Sequence, residues 1–221
     1  MLVTFTNRHG GVSQGVYATL NLGDHVGDLQ EDVLRNRESL ASQHGSIQFM
    51  NQVHGNRIVI VEEISDESPT ADALVTGISG ITLAVMVADC IPLLLTSKEA
   101  VAAVHVGRRG LVNGVAIKTI EVMRQMGAQD ISATIGPSIC GRCYEVSADI
   151  HHEVISHFPA ADSRTSSNSL ALDLPKALTS VLLSAGIAVD TSQSACTLED
   201  ADLFSYRRDG VTGRQAGLVN L

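Results

Sequence analysis

A chain of 221 residues with 44% hydrophobic and 18% charged side chains is long enough to bury its own core and too apolar to remain disordered. Its formal charge of −9, with no stripe of Lys or Arg, excludes binding to a nucleic-acid backbone and points to small-molecule partners. The longest nearly apolar stretch, Ile81 to Leu95, contains Asp89 and Pro92 and is too short to span a bilayer, so no membrane association is expected. Aromatic residues are 3% and Trp is absent, so the core must be built from Val, Ile, Leu and Ala. The start, MLVTFTNRHGG, has neither the basic nor the apolar part of an export signal. In that context the four cysteines read as thiols or ligands rather than a disulfide framework, and the expected location is cytoplasmic.

In chain order, a first strand is predicted at Leu2–Thr6. Asp28 and Glu31 resemble a capping box that opens a helix carrying Leu29, Val33 and Leu40 and stopping near Gly45. Strands follow at Ile47–Val53 and Arg57–Glu63, then three in succession at Ile81–Val87, Ile91–Thr96 and Val101–Val106. A helix is predicted from about Leu111 to Met126, with Gly127 as its C-terminal cap, and a strand at Ile131–Ile135. Ser147 is the expected cap of a helix through Ile155, and Pro159 to Ser169 reads as a surface loop. Pro175 opens a last helix that ends at Gly186, before a strand at Ile187–Thr191. No repeat or linker divides the chain, so a single domain over 1–221 is expected. Three strands in a row leave no room for crossover helices. That pattern predicts mixed sheets covered by helices, an α+β or mixed α/β class, and not a doubly wound parallel sheet. No G-x-G-x-x-G or G-x-x-x-x-G-K is present, so nothing supports a nucleotide cofactor.

Three polar residues stand where the strand readings should be apolar. They are His54 in NQVHGN, Cys90 in VADCIP and His105 in AAVHVGRRG, each at or near a strand end. Two imidazoles and a thiolate suit one divalent metal, and three protein ligands leave a coordination position open, as in catalytic zinc sites. Immediately after His105, Gly107-Arg108-Arg109-Gly110 leads into a predicted helix. A glycine-bounded helix start with arginines is suited to an anion such as phosphate, with Arg109 the expected contact and Arg108 the side chain expected to face solvent. Cys140 and Cys143 form a C-x-x-C with no second copy and are expected to be two thiols in a loop.

The chain resembles the laccase-domain family, whose members carry polyphenol oxidase and purine nucleoside phosphorylase names and have been connected with peptidoglycan precursor editing. The resemblance runs from RHGGVSQGVYATLNLGDHVGD through NQVHG, ADALVTGISGITLAVMVADCIPLLL, AAVHVGRRG and IGPSICGRCYEV to FSYRRDGVTGRQAG. It implies a layered α/β/β/α fold and one Zn²⁺ per chain held by His54, Cys90 and His105, with copper as an adventitious substitute. It also implies phosphorolysis of purine nucleosides of the adenosine, inosine, guanosine and methylthioadenosine class, with adenosine deamination as a further activity. Cys90, Arg109 and Asp89 are then the catalytic candidates, Asp89 for proton handling beside the metal. Gln52, Arg108 and Gly110 are the candidates for binding substrate and phosphate. Monomer and dimer both remain open.

The family commonly has H-A-G-W-R-G where this chain has His105-Val106-Gly107-Arg108-Arg109-Gly110, so Arg108 replaces a Trp. Cys140 stands where the family commonly has Gly, while Cys143 matches a frequent Cys. Two other chemistries compete. One is a cysteine-type hydrolase acting on a peptidoglycan precursor amide, with Cys90 as nucleophile and His105 as base. The other is copper oxidase chemistry, disfavoured because the eight histidines include no H-x-H.

Overall fold

The computed structural model spans Met1–Leu221. Its first half contains β1 (Leu2–Phe5), α1 (Gln30–His44), β2 (Ser46–Gln48), β3 (Ile58–Ile60), β4 (Ala73–Thr76), β5 (Ile81–Val87), β6 (Ile91–Thr96) and β7 (Val101–Val106). The second half contains α2 (Arg108–Val112), α3 (Val115–Gln125), β8 (Ser132–Ile135), α4 (Ala148–His157), β9 (Asp162–Arg164), β10 (Leu170–Leu172), α5 (Leu174–Ser184), β11 (Ala188–Asp190), α6 (Tyr206–Asp209) and β12 (Gln215–Asn220).

The strands sort into a four-stranded sheet, β1-β12-β5-β2, a six-stranded sheet, β11-β8-β6-β7-β4-β3, and a small β9–β10 hairpin. Both large sheets are mixed. β12 runs antiparallel to β1 and β5, whereas β2 runs parallel to β5. In the other sheet β6, β7 and β4 pair antiparallel, while β3–β4 and β8–β11 are parallel edges.

Side-chain alternation on these strands builds the layers. Leu83, Val85 and Val87 of β5 meet Leu74, Leu94 and Ala103 of the larger sheet in one apolar cluster. The opposite face of β5, Ala84 and Met86, packs with Leu40 of α1 and with Leu20 and Leu22. The outer face of the six-stranded sheet, including Leu93, Leu95 and Val104, meets Ile120 and Met123 of α3 and Leu178 and Leu182 of α5. The order is therefore helix, sheet, sheet, helix, as the family resemblance implied. β5, β6 and β7 are buried along their whole length, which is why they read as continuous apolar runs despite antiparallel pairing. Each fully buried Leu or Val contributes about 1.5–3 kcal/mol, enough for a core with almost no aromatic residues.

Several local expectations are corrected. The helix predicted over Leu111–Met126 is two helices, because Gly114 takes a left-handed φ of 72° between them, and α2 already begins at Arg108. Asp28 lies one residue too early to cap α1; its carboxylate accepts instead from Leu29 N, Ser13 Oγ and Asn21 Nδ2. Ser147 occupies the N-cap of α4 without a side-chain bond, and Asp173 caps α5 by accepting from Lys176 N at 2.9 Å. The stretch read as a surface loop, Pro159 to Ser169, contains β9, which pairs antiparallel with β10, where Ala171 and Leu172 are buried. The Ile47–Val53 and Arg57–Glu63 strands shrink to three residues each, since the intervening chain turns sharply at His54 with φ 57°.

Candidate active site

β4 and β7 lie side by side, and the residue preceding β4, Asp72, accepts the backbone N–H of His105 on its own carbonyl at 2.8 Å. The Asp72 carboxylate then organises the centre. Oδ1 lies 2.8 Å from His105 Nδ1 and 2.9 Å from His54 N, and Oδ2 lies 2.6 Å from Gly55 N. Asp72 is completely buried, so every one of these bonds replaces lost hydration. A carboxylate only accepts, so His105 donates from Nδ1 and its Nε2 is left free to act as a ligand. The same anchor holds the left-handed turn at His54.

Cys90 enters from the β5–β6 turn. Asp89 before it has φ 90°, and its carboxylate is engaged by Thr197 Oγ1 at 2.6 Å, Ser205 Oγ at 2.7 Å and Arg207 N at 2.6 Å. These bonds stabilise a backbone conformation that is unfavourable for a non-glycine residue. Cys90 Sγ stands 3.8 Å from His54 Nε2, the two imidazoles meet edge to face at 4.7 Å between centroids, and the three ligand atoms lie within 4.8 Å of one another. Gly107 leaves the necessary room, because a Cβ there would lie 3.0 Å from Cys90 Sγ and 3.2 Å from His54 Cδ2.

Electrostatics prepare the trio. Burial pushes the Cys90 thiol up, but the charge and hydrogen bond of His105, with those of His54, bring it down to about 6. Burial pushes His105 down, and the Cys90 thiolate with the Asp72 carboxylate raises it to about 9. Without a metal the pair is thus a thiolate–imidazolium, a negative donor waiting beside a cation. Two imidazole nitrogens and a thiolate fit a borderline-soft divalent ion.

The trio opens into a cavity of about 400 Å³. Gln52 lines it with its amide fixed between Met86 O at 2.7 Å and Met86 N at 2.8 Å. The same cavity is lined by Tyr144, Tyr206, Arg207 and Arg214, none of which was among the expected site residues. Arg207 lies over the Tyr144 ring at 5.0 Å and donates to Glu145 O at 2.8 Å, while Arg214 is clamped by Thr212 O and Gly213 O. Burial, together with the charge of Cys90, pushes the Tyr144 phenol up, so it stays a proton-bearing donor. The Arg-Arg of SYRRDG and the Asp of ADALV were visible signals, the latter because a carboxylate in an apolar run demands a partner.

Other expected residues fall elsewhere. Arg109 is exposed and outside the cavity wall, and Gly110 is buried within α2 rather than at its start. Arg108 is the more enclosed of the two, pairing with Glu153 at 3.5 Å. The placement is the reverse of the one expected, because the helix begins three residues earlier and turns 108 toward α4 and 109 toward solvent. Cys140 and Cys143 are not isolated loop thiols: they meet Cys196. The histidines fall apart as well. His151, His152 and His157 belong to α4, and only His25 joins His54 and His105 on the cavity wall, so the donors do not fit a multinuclear copper centre.

A layered mixed α/β domain with a His₂Cys centre at the end of its larger sheet defines the class. The chain belongs to the multi-copper polyphenol oxidoreductase laccase family, whose model matches residues 2–221. It is 43% identical to a Corynebacterium glutamicum protein named purine nucleoside phosphorylase, over 97% of this chain and 92% of that one. A Haemophilus influenzae protein of the same name is 34% identical over 97% of this chain and 91% of its own. Among solved structures, a Neisseria meningitidis protein superposes with a TM-score of 0.90 at 38% identity, covering 98% and 92% of the two chains. YlmD of Geobacillus stearothermophilus gives 0.86 at 32% identity, covering 99% and 91%. No helix is long and apolar enough to cross a membrane.

Proposed function

We propose that this protein is a zinc-dependent purine nucleoside phosphorylase. The observation that carries the reading is the union of the His54–Cys90–His105 centre with two arginines, Arg207 and Arg214, in one cavity of nucleoside size. The names of the relatives support the same reaction. His54, Cys90 and His105 would hold the zinc, which would supply Lewis-acid polarisation of a substrate oxygen. The chain's own residues do the rest. Arg207 and Arg214 hold phosphate by charge-assisted bonds, which sets one phosphate oxygen against C1′ of the ribose. The C1′–O bond forms as the glycosidic C1′–N9 bond breaks, and the departing purine takes up a proton to leave ribose 1-phosphate and free base. Tyr144, a neutral phenol, is placed to donate a hydrogen bond, and Tyr206 offers a ring for the base to stack on. The arginines bring the positive charge that the −9 surface lacks.

The test is incubation of metal-replete protein with adenosine, inosine, guanosine and methylthioadenosine, with and without phosphate, and identification of products by mass. Base and ribose 1-phosphate that appear only with phosphate support the reading. Absence of phosphate-dependent base release from all four sinks it. Inosine formed from adenosine assigns deamination as a further activity. The thiolate–imidazolium pair of Cys90 and His105 favours one second reading, a cysteine hydrolase on a peptidoglycan precursor amide. Amide cleavage by metal-free protein, abolished by zinc, would select it.

A further inference from the structure

Beyond the His54–Cys90–His105 centre, a second group of soft ligands converges from two distant parts of the chain. Cys140 and Cys143 lie in the loop after β8, and Cys196 and Glu199 in the segment after β11. Each pair has the i, i+3 spacing of a metal knuckle, one C-x-x-C and one C-x-x-E. The spacing alone suggested only half a site, because the complement to Cys140-x-x-Cys143 is a cysteine and a glutamate.

The two segments are held in register by backbone bonds. Ser138 N donates to Ala195 O at 3.0 Å and Thr197 N to Ser138 O at 3.2 Å, forming a parallel bridge between Ser138, just before the first knuckle, and Cys196 of the second. Cys140 N points at Cys196 Sγ at 3.4 Å, and the Cys143 thiol faces Glu199 Oε1 at 3.5 Å. All four ligand atoms lie within 4.8 Å of one another, and no pair of the thiols is joined as a disulfide. A zinc–thiolate tetrahedron with bonds of ~2.3 Å spaces its sulfurs roughly 3.8 Å apart, so the set is about one ångström from closing on an ion. Arg142, beside the cluster at 3.7 Å from Glu199, offsets the excess negative charge of three thiolates and a carboxylate around one dication.

We propose that Cys140, Cys143, Cys196 and Glu199 bind one zinc ion as a structural site distinct from the active centre. Four protein ligands close the coordination sphere, which is the arrangement of an ion that holds chain segments together rather than one that meets substrate. What it holds is part of the cavity wall. Ile139 and Tyr144 flank the first knuckle, while Thr197 of the second donates to Asp89, which in turn receives Arg207 N. The ion would pin both segments to each other and set where Tyr144 and Arg207 stand.

The experiment measures zinc by elemental analysis in fully reduced wild-type protein, Cys90→Ala, Cys140→Ser/Cys143→Ser and the triple variant, after zinc loading and desalting. The expected contents are two ions per chain, one, one and none. The Cys90→Ala protein loaded with cobalt should show thiolate-to-cobalt charge transfer, now owed entirely to the second site. Hydrogen exchange of residues 138–146 and 195–208 should accelerate when that ion is chelated from Cys90→Ala. Unchanged zinc in a folded Cys140→Ser/Cys143→Ser protein overturns the proposal. If that variant does not fold, failure of reduced Cys90→Ala to take up zinc or show the cobalt band overturns it equally.

Discussion

The Asp72 carboxylate sits 2.8 Å from His105 Nδ1, and both side chains are buried, at 0% and 3% exposure. This one contact selects the His105 tautomer, aims Nε2 at Cys90, and couples the orientation of the ring to the turn at His54. Asp72→Asn keeps the shape but removes the charge and gives one backbone N–H a donor to face. Metal affinity at the active centre should fall about ten- to a hundredfold, and stability by about 1–3 kcal/mol. Chelator competition and urea unfolding read the two effects. Wild-type affinity in the variant would show that Asp72 does not orient His105.

Gly107 touches the ligands without being one. A methyl group there sits 3.0 Å from Cys90 Sγ and must push the sulfur or the His54 ring aside. Gly107→Ala should retain the fold, since φ is −84° and suits alanine, yet weaken metal binding at the centre. Full metal occupancy at wild-type affinity would show that the trio has slack.

In metal-free protein the Cys90 thiol titrates near 6, well below its ordinary 9.0, and His105 near 9, above its ordinary 6.5. The sign of each contribution follows. Cys90, depressed, stabilises the fold fully above about 9 and loses that contribution as pH falls through about 6. His105, raised, stabilises fully below 6.5 and loses it as pH rises through about 9. Across the shared window the slopes oppose each other, so stability from this pair should be nearly flat between pH 6.5 and 9. Alkylation of Cys90, followed by peptide mass, should switch on with a midpoint near pH 6 and be suppressed by bound zinc. A midpoint near 9 would mean that His105 carries no proton beside it.

Arg214 and Arg207 face the cavity, whereas Arg109 faces solvent. Under the phosphorylase reading, Arg214→Ala and Arg207→Ala should each lower phosphate-dependent kcat/KM about ten- to a hundredfold, the loss of a charged hydrogen bond of roughly 1.5–3 kcal/mol. Arg109→Ala should change it by less than about threefold, as an exposed charge contributes under ~1 kcal/mol. A larger loss at Arg109 than at Arg214 would return the phosphate to the α2 side of the site.

The central strands and the convergence of the three candidate ligands were legible in the sequence for one reason: polar residues interrupt β-branched runs that must be buried. His54, Cys90 and His105 declare themselves against Val and Ile. Asp72 obeys the same logic, but it precedes β4, a strand of only four residues. Arg207, Arg214 and Cys196 were hidden differently. Their positions depend on the return of the chain to β6 and β5 after long excursions, and no local periodicity encodes which distant loops will meet. The helix start at Arg108 was misjudged because Gly110 looked like a boundary and Gly114, the real break, lies one turn further.

β12 does not lie at an edge. It occupies the interior of the four-stranded sheet, between β1 and β5. Residues 2–5 therefore have no sheet partner until residues 217–220 arrive, and β5 shows an open edge for the whole interval of synthesis between them. Pairings of such sequence separation form late and slowly, because the loop must close before any contact rewards it. The segment that carries Tyr206, Arg207 and Arg214 leads directly into that strand, so this part of the cavity wall is built only when β12 pairs. Until the final strand slides into place, the exposed flanks of β1 and β5 are the surfaces through which two nascent copies would adhere.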